Sequence, residues 1–151
     1  LPDIVDTLTR SRMMSGIQGK NTKPEMLVRR ALHALGYRYR IHTSNVPGRP
    51  DFVLPRYRAA IFVNGCFWHG HDCALFRLPD TRREFWSKKI EGNVKRDALV
   101  REQVISKGWR YLAVWECAIR GKHQIGLEQT TERIVRWLRS SATSAEVRGS
   151  R

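Results

Sequence analysis

The chain has 151 residues, 41% of them hydrophobic, enough for one domain with a substantial core. Lys plus Arg outnumber Asp plus Glu by 28 to 14, and the resulting net charge of +14, with a pI near 10.7, points to a polyanionic partner. No segment approaches the roughly 18 apolar residues of a membrane span. Residues 1–10 have no signal-peptide core and the three cysteines no disulfide spacing, so no membrane association and a cytoplasmic setting are expected.

Residues 1–20 are polar and basic, and Arg10, Arg12, Met14 and Ile17 make them a candidate DNA-contacting arm carrying apolar wedges. Thr22-Lys23-Pro24-Glu25 announces a helix: Thr22 caps, Pro24 suits the first turn, and Glu25 stands at the capping-box position. Leu27, Val28, Ala31, Leu32 and Leu35 follow at helical spacing, and Gly36 ends the helix. Tyr37 to His42 alternates aromatic or apolar with basic residues, the pattern of a half-exposed strand. A turn over Asn45 to Pro50 leads into two strands, Asp51 to Leu54 and Arg58 to Val63, joined by Pro55-Arg56-Tyr57. The second is expected to be central, because Ala59 to Val63 is continuously apolar. Residues 64–80 form a loop rich in special side chains. Arg82 to Ser106 reads as a helix with Gly92 as a candidate break, Trp109 to Trp115 as a strand and Glu128 to Arg139 as a last helix. Ser140 to Arg151 reads as a frayed, flexible tail. No internal repeat is visible. The order implies an α/β protein with a mixed β-sheet flanked by helices. It divides into an arm (1–20), a single catalytic domain (21–139) and a tail (140–151).

The chemistry concentrates in Val63-Asn64-Gly65-Cys66-Phe67-Trp68-His69-Gly70-His71-Asp72-Cys73. Cys66, His71 and Cys73 share this loop, and Cys117, just past the Trp109–Trp115 strand, completes the donor set of a tetrahedral structural Zn²⁺. His69 competes with His71 as the nitrogen ligand, and the alternative is a set of inert buried thiols. Phosphodiester hydrolysis calls for a metal that neutralises the phosphate, and Mg²⁺ takes oxygen ligands. Asp51, after Pro47-Gly48-Arg49-Pro50, is the best carboxylate, with the Val63 carbonyl as a second ligand. His69 is the natural proton-transfer group. Glu25 either orders water beside the metal or only completes its capping box. Phe67, Trp68 and Trp86, near Arg82, Arg83, Lys88 and Lys89, can wedge between bases or simply pack in a core.

These motifs, with Arg82-Arg83-Glu84-Phe85-Trp86, Lys89, Asn93-Val94, Arg96-Asp97 and Trp115-Glu116-Cys117, resemble the very-short-patch repair (Vsr) DNA mismatch endonucleases from about Thr9 to Leu138. The resemblance implies a restriction-endonuclease-like fold and a nucleoid-associated monomer. It also implies Mg²⁺-dependent nicking of one DNA strand 5′ to the thymine of a T·G mismatch left by 5-methylcytosine deamination, with a mismatch-repair protein as a possible partner. By position, Asp51 and Val63 would hold Mg²⁺, His69 would assist proton transfer and Glu25 would order water. Cys66, His71, Cys73 and Cys117 would hold the zinc. Phe67, Trp68 and Trp86 would enter the DNA from the major groove and Met14 and Ile17 from the minor-groove side, while Lys89 and Asn93 would read the mismatched pair. One departure stands out. Related nucleases carry Asp/Glu-x-Lys on the second strand, where this chain reads Phe62-Val63-Asn64. Some family members have His at the Asn64 position. Asn64 can hydrogen-bond water but cannot act as a base near neutral pH, which leaves more to His69. Two other readings share these features: a non-catalytic, zinc-stabilised DNA-binding module, and a dimeric restriction or junction-resolving nuclease.

Overall fold

The computed structural model of the chain describes residues 22–151. The first helix, α1, spans Lys23–Ala34. It starts where expected: Thr22 holds an extended backbone, and its Oγ1 accepts from the Glu25 N–H at 3.4 Å. Leu35 caps its end, and Gly36 turns the chain out with φ of +94°. Val28 and Leu32 are fully buried and Leu27 and Ala31 half-buried, so most of the apolar stripe read from the sequence faces the core, while Leu35 at its end is 61% exposed.

Four strands form one mixed sheet in the order β1-β2-β3-β4. β1 (Phe52–Leu54) runs antiparallel to β2 (Ala59–Asn64), and a 3₁₀ turn over Pro55–Tyr57 joins them. β3 (Arg110–Trp115) and β4 (Ser144–Val147) both continue parallel to β2. Parallel neighbours need crossovers. Helix α2 (Arg83–Ser106) makes the first and α3 (Gly126–Arg139) the second. One sheet face, with Phe52, Leu54, Ile61, Leu112 and Val114, packs with Val28 and Leu32 of α1 and with Ile134, Trp137 and Leu138 of α3. The other, with Val53, Ala60, Phe62, Tyr111 and Ala113, packs with Val104 of α2. The result is a three-layer α/β architecture in which β2 and β3 end side by side at Asn64 and Trp115.

Three expectations are corrected. Residues 37–42 make no strand: Arg40 alone bridges Val53, through two N–H···O bonds of 2.9 Å. Tyr37, Tyr39 and Ile41 do turn onto the core, as the alternation implied, but His42 at φ of +58° turns the chain away before a ladder can extend. Gly92 does not break α2, which runs unbroken for 24 residues; this glycine faces open space and lowers helix propensity without inserting a kink. The supposed frayed tail contains β4. Only Ala145 and Val147 carry apolar side chains in this edge strand, so its hydrophobic signal is weak, yet Val147 is buried against the core.

Two glycines fix the loops to α2. An added Cβ on Gly48, at φ of +79°, would fall 2.2 Å from Val100 Cγ1. One on Gly70, at φ of +59°, would fall 2.7 Å from Ile90 Cγ2. Both positions need the left-handed backbone and the missing side chain. The Gly48 turn leads into Asp51, and Gly70 follows His69, so α2 sets the relative placement of both.

Candidate active site and metal centre

A cleft of about 230 Å³ opens where β2 ends, lined by Asp51, Val63, Asn64, His69, Asp97 and Tyr111, with Arg49 and Arg96 adding positive charge. Asp51 stands one residue before β1. Its Oδ2 accepts from the Val63 N–H at 2.6 Å, which ties the carboxylate to the strand end. His69 and Asp97 meet across the cleft, Nδ1 to Oδ2 at 2.6 Å, both half-buried. Asp97 lies on α2, one of four acids there beside six basic residues, and nothing in the sequence alone marks it. With the Nδ1 proton directed at Asp97, the other ring nitrogen is left as an acceptor.

Glu25 is not among the residues lining this cleft. It is 1% exposed in the first turn of α1, and its Oε2 lies 2.5 Å from Arg29 Nη1. That turn nevertheless borders the same strand end: Thr22 and Pro24 line a second cavity, of about 460 Å³, together with Val63, Asn64 and Gly65.

Phe67, Trp68 and Trp86 form one edge-to-face cluster with centroids 5.4 to 5.6 Å apart. Trp68 is 7% exposed, whereas Phe67 and Trp86 are half-buried. Lys89 lies one helical turn beyond Trp86. Asn93 holds the loop, donating from Nδ2 to the Trp68 carbonyl at 2.8 Å, and accepts from Arg96 at 3.3 Å. Met14 and Ile17 lie outside the described residues.

Behind the cleft, one ligand atom each from Cys66, His71, Cys73 and Cys117 fall within 4.8 Å of one another. His71 Nδ1 is 3.6 Å from the sulfurs of both Cys66 and Cys117. This geometry separates the two histidines that compete in the sequence: His71 joins the thiols and His69 faces the cleft. Burial pushes the Cys66 and Cys117 thiols up in pKa, so bare thiolates would be costly there. Backbone N–H groups nevertheless point at both sulfurs, Cys117 N–H at Cys66 Sγ and Gly149 N–H at Cys117 Sγ, each at 3.3 Å. Burial, assisted by Arg148, lowers the His71 pKa and so favours the neutral, ligating imidazole. The ring stacks on Trp115 at 3.9 Å. The group can hold a metal ion. Arg148 closes this side with 2.5 and 3.0 Å bonds to the Asp72 carboxylate and carbonyl. Hydrogen bonds from Arg148 and Arg151 hold the Asp72 carboxyl down to about 2. Among the described residues, no helix is long and apolar enough to cross a membrane.

The family model described as DNA mismatch endonuclease Vsr matches residues 2–75. DNA mismatch endonuclease Vsr of Escherichia coli K12 is 42% identical over 147 residues, covering 97% of this chain and 94% of that protein. Type II nicking enzyme V.XorIIP of Xanthomonas oryzae pv. oryzae is 46% identical over 110 residues, 73% of this chain and 81% of its own. Type II nicking enzyme V.NmeAIP of Neisseria meningitidis is 39% identical over 122 residues, 81% and 87% of the two chains.

Proposed function

The chain belongs to the Vsr family of DNA mismatch endonucleases, and from that membership and the cleft we propose that it nicks one DNA strand 5′ to the thymine of a T·G mismatch. The observation that carries this reading is the convergence of Asp51, the end of β2 and the His69–Asp97 pair in one cleft.

Asp51 and the Val63 carbonyl are the oxygen donors that would hold Mg²⁺. An extended strand turns a residue's N–H and C=O to the same side, and the Val63 N–H already bonds Asp51. An ion held by these oxygens would supply charge neutralisation at the phosphate and a more acidic water. His69, with Nδ1 committed to Asp97, takes a proton at Nε2 and is stabilised by Asp97 as it becomes charged. Asn64 offers an amide to the same space, and Glu25, from the adjoining α1 turn, orders solvent at the strand end.

DNA approaches a chain with 28 cationic side chains, whose phosphate contacts give salt-sensitive affinity without sequence information. Phe67, Trp68 and Trp86 wedge beside the mismatch from one groove and Met14 and Ile17 from the other. Opening a base step costs less at a mismatch than at paired bases, so the wedges select weakened DNA. Lys89 and Asn93 read the mismatched pair. The protein acts as a monomer.

We assign the four-ligand group to structural zinc. Zn–S and Zn–N bonds of the usual lengths at tetrahedral angles put sulfur and nitrogen about 3.6 Å apart. Both measured separations from His71 Nδ1 match that value.

The test is strand-specific mapping of nicks on T·G, fully paired and branched duplexes with Mg²⁺. A nick on the thymine strand of the T·G duplex alone, abolished in Asp51→Ala, is expected. DNA binding with no nick would identify a non-catalytic module instead, and cutting of paired or branched DNA a nuclease of another kind.

A further inference from the structure

Consecutive residues just past β4 each bond a different part of the four-ligand group or its surroundings. Arg148 donates to the Asp72 carboxylate at 2.5 Å and to the Asp72 carbonyl at 3.0 Å. Asp72 stands between His71 and Cys73, so this grip holds the loop backbone between two of the ligands. Gly149 donates its N–H to the sulfur of a third, Cys117, at 3.3 Å. Ser150 donates from its N–H and its Oγ to the His123 carbonyl, at 2.8 and 3.1 Å. Arg151 adds a 3.3 Å bond to the Asp72 carboxylate. A Cβ at residue 149 would meet the carbonyl oxygens of Cys117 and, at 2.6 Å, of His123. Glycine is thus what lets the segment lie against Cys117.

We propose that residues 148–151 are a clasp that keeps the metal in the four-ligand group, and that lifting of this clasp, rather than unfolding of the domain, is the step by which the metal leaves. The proposal rests on the zinc assignment made above. Arg148 holds the backbone between His71 and Cys73, and Gly149 holds the Cys117 sulfur, so detaching any of these three ligands also strains a bond to the clasp. With the clasp lifted, Cys117 loses its N–H partner and the 71–73 loop its tie, and the ligands come off one at a time. The bonds that hold the clasp are polar and close to solvent. Asp72 is 68% exposed, whereas Val147, the residue before the clasp, is buried in the core. Segments tied by exposed hydrogen bonds open locally at far lower cost than a sheet unfolds. A cavity of about 410 Å³ adjoins the clasp, and its walls include His71, Cys73, Cys117, Arg148, Ser150 and Arg151. It gives a chelator room beside three of the ligands.

The test follows metal release from the full chain loaded with Zn²⁺, mixed with an excess of a chromogenic chelator under native conditions. Arg148→Gln removes the charged grip on Asp72, and Gly149→Ala pushes the segment off Cys117. Each should speed release about tenfold, the usual size of effect when a metal ligand loses an outer partner. The urea midpoint of Arg148→Gln should move little, because its partner Asp72 lies in solvent and such pairs contribute little to stability. Charge reversal gives a second readout: Asp72→Lys and Arg148→Glu should each speed release, and the two together should restore most of the slow rate. With Co²⁺ in place of Zn²⁺, Gly149→Ala should shift the sulfur-to-metal charge-transfer band, because the N–H bond to Cys117 Sγ is lost. Arg148→Gln should leave the ligand-field bands in place. Release unchanged in both variants, or faster only in proportion to their unfolding rates, would overturn the proposal while leaving the zinc assignment standing. An unaltered protein that binds no Zn²⁺ would overturn the zinc assignment itself, and the clasp's role with it.

Discussion

At the scale of single residues, the cleft separates groups defined by chemistry from groups defined by placement. Asp51, His69 and the three thiols stand out in the sequence because each carries a reactive or ligating group in an unusual local context. Asp97 and Tyr111 do not: an aspartate in a charged helix and a tyrosine in a strand are ordinary until tertiary structure brings them to the cleft. Asp97→Asn tests the importance of the imidazole pair. It keeps the shape but removes the negative charge 2.6 Å from His69 Nδ1, and an outer partner of the kind proposed typically contributes tenfold to a hundredfold. Nicking should fall by about that factor, with DNA affinity little changed, as measured by single-turnover kinetics beside a binding titration. A rate within twofold of the unaltered protein would show that His69 works without its partner.

At the scale of elements, helix α1, the β1–β2 hairpin and strand β3 were legible, because capping, turn residues and continuous apolar runs are local signals. The 37–42 segment and β4 misled for opposite reasons. In 37–42 the alternation reported which side chains reach the core but not whether a partner strand was long enough to pair. In β4 the pairing is real but its side chains are half polar. Helix α2 was legible as a helix, but not as the template against which the two loops are set. Gly70→Ala tests that role, because its new methyl would meet Ile90 and Val94 at a backbone angle alanine resists. A loss of about 1–3 kcal/mol in urea unfolding is expected. It should come with a nicking defect larger than the fraction unfolded can explain, since the displaced loop carries His69. Normal stability and normal nicking would show that the loop is not fixed at this point.

At the scale of the whole molecule, the Cys66–His71–Cys73–Cys117 cluster joins parts of the chain that are far apart in sequence: the 66–73 loop, Cys117 after β3 and Gly149 after β4. Removing zinc with a strong chelator under reducing conditions should abolish nicking and lower the melting temperature by about 10 °C or more, with both restored by added zinc. Scanning calorimetry and a nicking assay on the same sample measure this, and a metal-free protein with unchanged melting would refute the zinc assignment. The two groups alternate along a single stretch of backbone: Asn64 and His69 face the cleft, while Cys66, His71 and Cys73 turn back toward Cys117. Neither can be rebuilt without re-laying the other. Cys73, the least buried of the thiols, is therefore where an oxidant would reach both groups at once: capping its sulfur would slacken the segment that carries His69, four residues away.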